Sequence, residues 1–192
     1  MKLLSKFALF TLFACPLMAQ QYVAVKVGST HSAMTNETHN PKMGYHAGAH
    51  YGYIFGNGFR SEIEFRHQKN NFKTKYTLGQ QDVVQSKEYR SLQHLAYMVN
   101  VLYDIAQIRV GDFTPYIGIG AGYCQHTEKN KVKFLGTTSQ DKMRDDRFAY
   151  QGIVGAKYQI NADYATAIQY HYFCGQPHKK DHSVGVSLIR NF

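Results

Sequence analysis

The stretch from Gly44 to Phe55 alternates strictly. Tyr45, Ala47, Ala49, Tyr51, Tyr53 and Phe55 take one parity, and Gly44, His46, Gly48, His50, Gly52 and Ile54 take the other. A period of two marks a strand, because successive side chains point to opposite faces of a pleated backbone. Gly56-Asn57-Gly58 then supplies the residues a tight hairpin turn demands. Beyond it, Phe59 to Gln68 sets Phe59, Ile63 and Phe65 against Arg60, Glu62, Glu64 and Arg66. The rhythm returns at 22–28, 93–104, 114–125, 147–158, 164–173 and 183–192, which predicts eight strands. Pro115 sits at the start of its strand, where a missing N–H costs little. Connections are long and polar at 29–43, 69–92, 126–146 and 174–182, and short at 56–58, 105–113 and 159–163. An even strand count with short turns on one rim and long loops on the other predicts an all-β, antiparallel up-and-down barrel.

Alternation alone does not say which face looks in. The apolar face carries Tyr45, Tyr53, Tyr103, Tyr123, Tyr158 and Tyr172 near strand ends, as rings at two membrane interfaces would be placed. Buried in a soluble core, each hydroxyl would need its own partner. The opposite face carries Gly48, Gly52, Gly118, Gly120, Gly122 and Gly155, which suits an eight-stranded lumen barely wide enough for side chains. Arg60, Glu62, Glu64 and Arg66 stand on that same face, with Lys26, Asp104 and Lys157 as partners from other strands. These seven residues form the expected lumen charge network, and the fold expected is an eight-stranded transmembrane β-barrel. The alternative reverses the faces and gives a soluble periplasmic barrel that binds an apolar ligand.

Residues 1–19 read as a signal peptide, with Lys2 and Lys6 before the apolar run 7–14 and Leu17-Met18-Ala19 as the cleavage site. Leu12-Phe13-Ala14-Cys15 is a competing lipoprotein box, weakened by Phe13. Residues 20–192 are then a single barrel domain. No other segment approaches the roughly 18 apolar residues of a membrane-spanning helix, so any crossing must use strands. With 44% apolar, 14% aromatic and 18% charged residues, the chain is too aromatic for disorder. Loss of the leader takes two lysines from 22 basic residues and leaves all 13 acids, for a charge of +7. That surplus favours anionic partners, lipopolysaccharide phosphates or host polyanions before nucleic acid. Export leaves Cys124 and Cys174 in an oxidising compartment, where their spacing neither requires nor forbids a disulfide.

Ten histidines invite a search for metal or catalytic sites. His46 and His50 lie four strand residues apart, roughly 13 Å, too far to share an ion. With His94 and His171 they read as hydrogen-bonding groups of the lumen. Cys174, His178 and His182 carry Lys179 and Lys180 beside them, which would repel a cation. The expectation is no metal and no cofactor. A lipid-modifying enzyme would need a serine with a histidine base. His31-Ser32 points to opposite faces and reads as part of a loop, while His126-Thr127-Glu128 contains no serine. No catalytic residue is expected, and a large channel is excluded by an interior of eight-strand size.

The strand Phe113-Thr114-Pro115-Tyr116-Ile117-Gly118-Ile119-Gly120-Ala121-Gly122-Tyr123, together with 59–65, 100–104, 148–158 and the terminal Phe192, resembles the small outer-membrane β-barrel family. That family includes the opacity-type surface proteins and the transmembrane domain of outer-membrane protein A. The resemblance covers the whole of 20–192 and implies a bacterial outer-membrane location. Val184, Val186, Leu188 and Phe192 look like the C-terminal signal read by the barrel-insertion machinery, with Arg190 departing from the usual apolar or aromatic residue. Members serve as adhesins, envelope-stabilising proteins or resistance factors, so fold does not fix the task. Segment 69–92, with Lys69, Phe72, Lys73, Lys75, Tyr76, Lys87 and Arg90, is the expected external binding loop for anionic sugars or a protein. A structural or surface-interaction role is expected.

Overall fold

A computed structural model describes residues 20–34, 43–77, 84–134, 137–176 and 179–192; the expected signal peptide lies outside them. Eight strands follow in order: β1 (Gln20–Met34), β2 (Gly44–Ile54), β3 (Phe59–Thr77), β4 (Val84–Asp104), β5 (Phe113–Phe134), β6 (Thr137–Gln159), β7 (Tyr164–Gln176) and β8 (Lys179–Asn191). Each pairs antiparallel with its sequence neighbour, and β8 closes on β1, giving a closed up-and-down barrel. The β2–β3 turn is tight: Gly58 adopts φ +87°, a conformation that disfavours any residue with a side chain. Its missing Cβ would also stand 3.1 Å from the Asp104 carbonyl oxygen. The β4–β5 connection contains one 3-10 turn, Ala106–Ile108.

The faces fall with apolar residues outward. Val25, Ile63 and Ile119 are 60%, 64% and 73% exposed, whereas Lys26, Glu64 and Arg66 are at most 1% exposed. This overturns the reversed-face alternative, whose apolar set would line the interior. Aromatic rings bound the apolar band at both ends. Phe65, Tyr97, Tyr123 and Phe148 form a continuous cross-strand row at one level. Phe59, Tyr103, Phe113 and Tyr158 mark the other, where they stack in pairs at 4.9 and 4.7 Å. Ten steps of β5 separate Phe113 from Tyr123. At about 3.3 Å per step and a tilt of about 40° they rise about 25 Å, the height of the apolar band of outer-membrane barrels.

Two expectations need correcting. The interior is not uniformly polar, because Tyr22, Leu102, Tyr116, Ile153 and Ile189 cluster inside its short-turn end. Parity assigns a face but is silent on how wet that face is, and these side chains plug the end of the lumen. Nor are the described parts of 69–92 and 126–146, residues 69–77, 84–92, 126–134 and 137–146, loops: β3 and β4 stay paired from Phe59↔Tyr103 to Thr77↔Val84, and β5 and β6 from Phe113↔Tyr158 to Phe134↔Thr137. His31 and Ser32, also read as loop residues, lie in β1 opposite His182 and Asp181. Outside the lipid both faces are polar, so the hydrophobic period vanishes while the backbone ladder continues.

Candidate functional site

The lumen holds one polar network in three levels. Nearest the short turns, Arg60 Nε and Lys157 Nζ donate to the two oxygens of Asp104 at 2.9 and 2.7 Å. The Arg60 guanidinium also lies 4.7 Å from the centre of the Tyr116 ring. At mid-height Glu64 pairs with Lys26, both fully buried. Asn100 Nδ2 donates to Glu62 at 3.0 Å and to Glu64 at 2.9 Å, and Gln151 Nε2 donates to Glu64 at 2.8 Å. Tyr22 donates its hydroxyl to Glu62 at 2.7 Å, and His50 Nδ1 lies 3.1 Å from the same carboxylate. Nearer the long hairpins, Arg66 donates to Gln68 at 3.0 Å and Ser183 at 2.7 Å, with its guanidinium 5.3 Å from the centre of the Phe173 ring.

All seven residues assigned to the lumen network therefore lie in the lumen, but they divide among these levels. Glu64 takes Lys26, one of the partners expected from other strands, rather than an arginine of its own row. Gly48, between Lys26 and Arg66 in the register, makes this possible. A Cβ there would come within 3.2 Å of Lys26 Cε. Gly120 plays the same part for Asn100, whose Oδ1 would stand 1.9 Å from an added Cβ.

One grouping escaped the sequence reading. Cys124 and His126 are alternate residues of β5, and His94 faces His126 across the β4–β5 ladder. Their donor atoms all lie within 4.8 Å of one another, in the lumen mouth. The available signal was Cys-x-His, which puts both side chains on one strand face. Cys124 and Cys174 are two separate thiols. Cys124 packs inside against Ala149 and Phe173, while Cys174 stands opposite the outward Tyr150. Of the residues weighed for catalysis, Ser32 bonds Asn70, and His126 Nε2 lies 3.0 Å from the Gly175 carbonyl oxygen.

Above the upper aromatic row the wall is uneven. The β2–β3 pairing ends at Tyr45↔Lys69 and the β6–β7 pairing at Tyr150↔Cys174, yet β3 to β6 continue together to Thr77, Val84, Phe134 and Thr137. These four strands form a one-sided crest that extends β5 by eleven residues beyond Tyr123, about 35 Å of strand. Lys69, Lys73, Lys75, Phe72, Tyr76, Lys87 and Arg90 all belong to its paired strands. Register sets Lys75 opposite Lys87, Lys87 opposite Lys133, and Lys129 opposite Lys142. Lys69, Lys129, Lys142 and Arg144 share the parity of the outward aromatic row. Along β8 toward the opposite rim, Val184, Val186, Leu188 and Phe192 are outward and more than half exposed. Arg190 lies over the Phe192 ring at 5.1 Å, which keeps its charge at the interface.

Residues 6–192 match the family model described as outer membrane protein beta-barrel domain. An outer membrane protein of Gluconacetobacter diazotrophicus is 34% identical over 114 residues, a stretch that takes in 57% of this chain and 29% of that relative. Among solved structures, Neisserial surface protein A is similar with a TM-score of 0.60 at 12% identity, over 90% of this chain and 97% of its own. The attachment invasion locus protein Ail of Yersinia pestis gives 0.52 at 11% identity, over 91% of this chain and 99% of its own. At such identities the structural likeness is one of fold. The chain belongs to the outer membrane protein β-barrel domain family, and its place is the bacterial outer membrane.

Proposed function

We propose that the protein is a surface-interaction barrel: a rigid membrane anchor whose crest engages anionic glycan, with no catalytic role and no large channel. The crest's opposed cations carry this reading. Like charges directly opposite in a ladder are destabilising, and Lys75, Lys87 and Lys133, like Lys129 and Lys142, occupy opposed positions. An anion bridging them removes that repulsion. The outward parity of Lys69, Lys129, Lys142 and Arg144, just above the aromatic row, suits lipopolysaccharide phosphates in the same leaflet. Host polyanions offer the same chemistry. Ail, similar in fold, has been crystallised in complex with the heparin analogue sucrose octasulfate, which supports testing sulfated sugars first. The filled lumen supports an anchoring role.

The test is retention of the refolded barrel on immobilised heparin and its binding to lipopolysaccharide micelles as salt is raised. Deletion of 72–88 and, separately, Lys129→Glu with Lys142→Glu are expected to weaken both while heat-modifiable gel migration persists. Undiminished binding by both folded variants would sink the proposal.

A further inference from the structure

The lumen mouth brings together side chains that membrane anchoring does not require. His94 and His126 face each other edge-on, ring centroids 4.4 Å apart and planes at 79°. Cys124, two residues before His126, turns its thiol to the same place, and all three residues are buried. One imidazole is oriented from behind by a carbonyl, and the other has a carboxylate beside it. His126 Nε2 lies 3.0 Å from the Gly175 carbonyl oxygen, so that nitrogen carries the proton and donates, leaving Nδ1 toward the group. His94 Nδ1 lies 3.5 Å from Asp181 Oδ2, a charge contact longer than a hydrogen bond, which places a carboxylate beside that ring. Metal-binding histidines characteristically present their second N–H to a carbonyl or carboxylate, as His126 does to Gly175.

We propose that His94, Cys124 and His126 bind a divalent transition ion of zinc's class at the mouth of the barrel. Two imidazoles and a thiolate suit a borderline-to-soft ion and disfavour magnesium or calcium, which take oxygen. In a tetrahedral zinc site the ligand atoms stand about 3.3–3.8 Å apart. Three donors now within 4.8 Å reach that spacing by modest side-chain rotation. The thiol loses its proton as the metal–sulfur bond forms, and that proton leaves to solvent. The fourth position falls to water. The nearby fixed cation is Arg66, held by Gln68 and Ser183, and the new thiolate together with Asp181 offsets it. The second buried group with suitable atoms, His50, Glu62 and Glu64, is a poorer candidate, because the Lys26 ammonium already fills the cation's place against Glu64.

The experiment titrates Co2+ into the metal-free barrel refolded in detergent and reads the visible spectrum. One equivalent should produce tetrahedral d–d bands and a thiolate-to-cobalt charge-transfer band, both abolished by added Zn2+. Cys124→Ser should remove the charge-transfer band, whereas Cys174→Ser and His182→Ala leave it intact. Asp181→Asn should weaken affinity about tenfold or more. Zn2+ should also raise the unfolding midpoint of the unsubstituted barrel, a readout that needs no variant to fold. Absence of a cobalt spectrum, a charge-transfer band that survives Cys124→Ser or depends on Cys174, or an unmoved midpoint would each overturn the site.

Discussion

Lys26 reaches Glu64 inside the barrel across Gly48, the β2 residue that leaves room for its side chain. Replacement of Glu64 by alanine strands a buried ammonium, and the loss of one partner of such a pair costs about 3–5 kcal/mol. Denaturant unfolding in detergent measures it, and an unchanged midpoint would mean the network is hydrated. Gly120→Ala presses a methyl group onto Asn100, the residue that ties Glu62 to Glu64, and should cost about 1–3 kcal/mol in the same assay. The charged row of β3 was legible because parity reveals which residues share a face. Who meets whom was not, since Lys26, Glu64 and Gln151 belong to β1, β3 and β6 and their contact depends on closure. The His94, Cys124 and His126 group was missed for the same reason: spacing along one strand says nothing of the strand beside it.

Strand identity came through wherever lipid lies on one side. Lipid forces an apolar parity, so β2 and the membrane part of β5 read cleanly from sequence, including the Pro-Tyr-x-Gly-x-Gly-x-Gly run. Ile119, midway between the aromatic ends of β5, should tolerate lysine poorly, losing about 2–4 kcal/mol. A fully stable Ile119→Lys barrel would contradict the outward face. Beyond the bilayer that pressure disappears, and 69–92 and 126–146 read as loops although their described residues, 69–77, 84–92, 126–134 and 137–146, are paired strands. Amide hydrogen exchange distinguishes the two: residues 126–131 and 141–146 should exchange slowly, whereas a loop would exchange at the rate of an open chain. The crest edge on β6 carries Asp141, Lys142, Arg144, Asp145 and Asp146, charges that discourage another chain from adding a strand.

For the molecule as a whole, closure of β8 on β1 leaves no edge within the bilayer, and every backbone donor there can find a neighbour. Interior packing blocks the axis twice, by the apolar cluster around Leu102 and Ile153 and by the carboxylate network above it. Planar-bilayer recordings should therefore show no steady porin-like current, and a large stable conductance would contradict the packing. Fold and membrane face were readable from local pattern. The overall outline was not, because it depends on where each strand pairing stops.

That outline gives the cylinder a front and a back. A glycan that engages the outward cations of the tall side, as proposed, would lie beside the barrel's axis rather than over its mouth. The proposed glycan contact and the proposed ion site then stand on different parts of the rim, one on the outer wall of the paired strands and one inside it, and need not compete for a single approach.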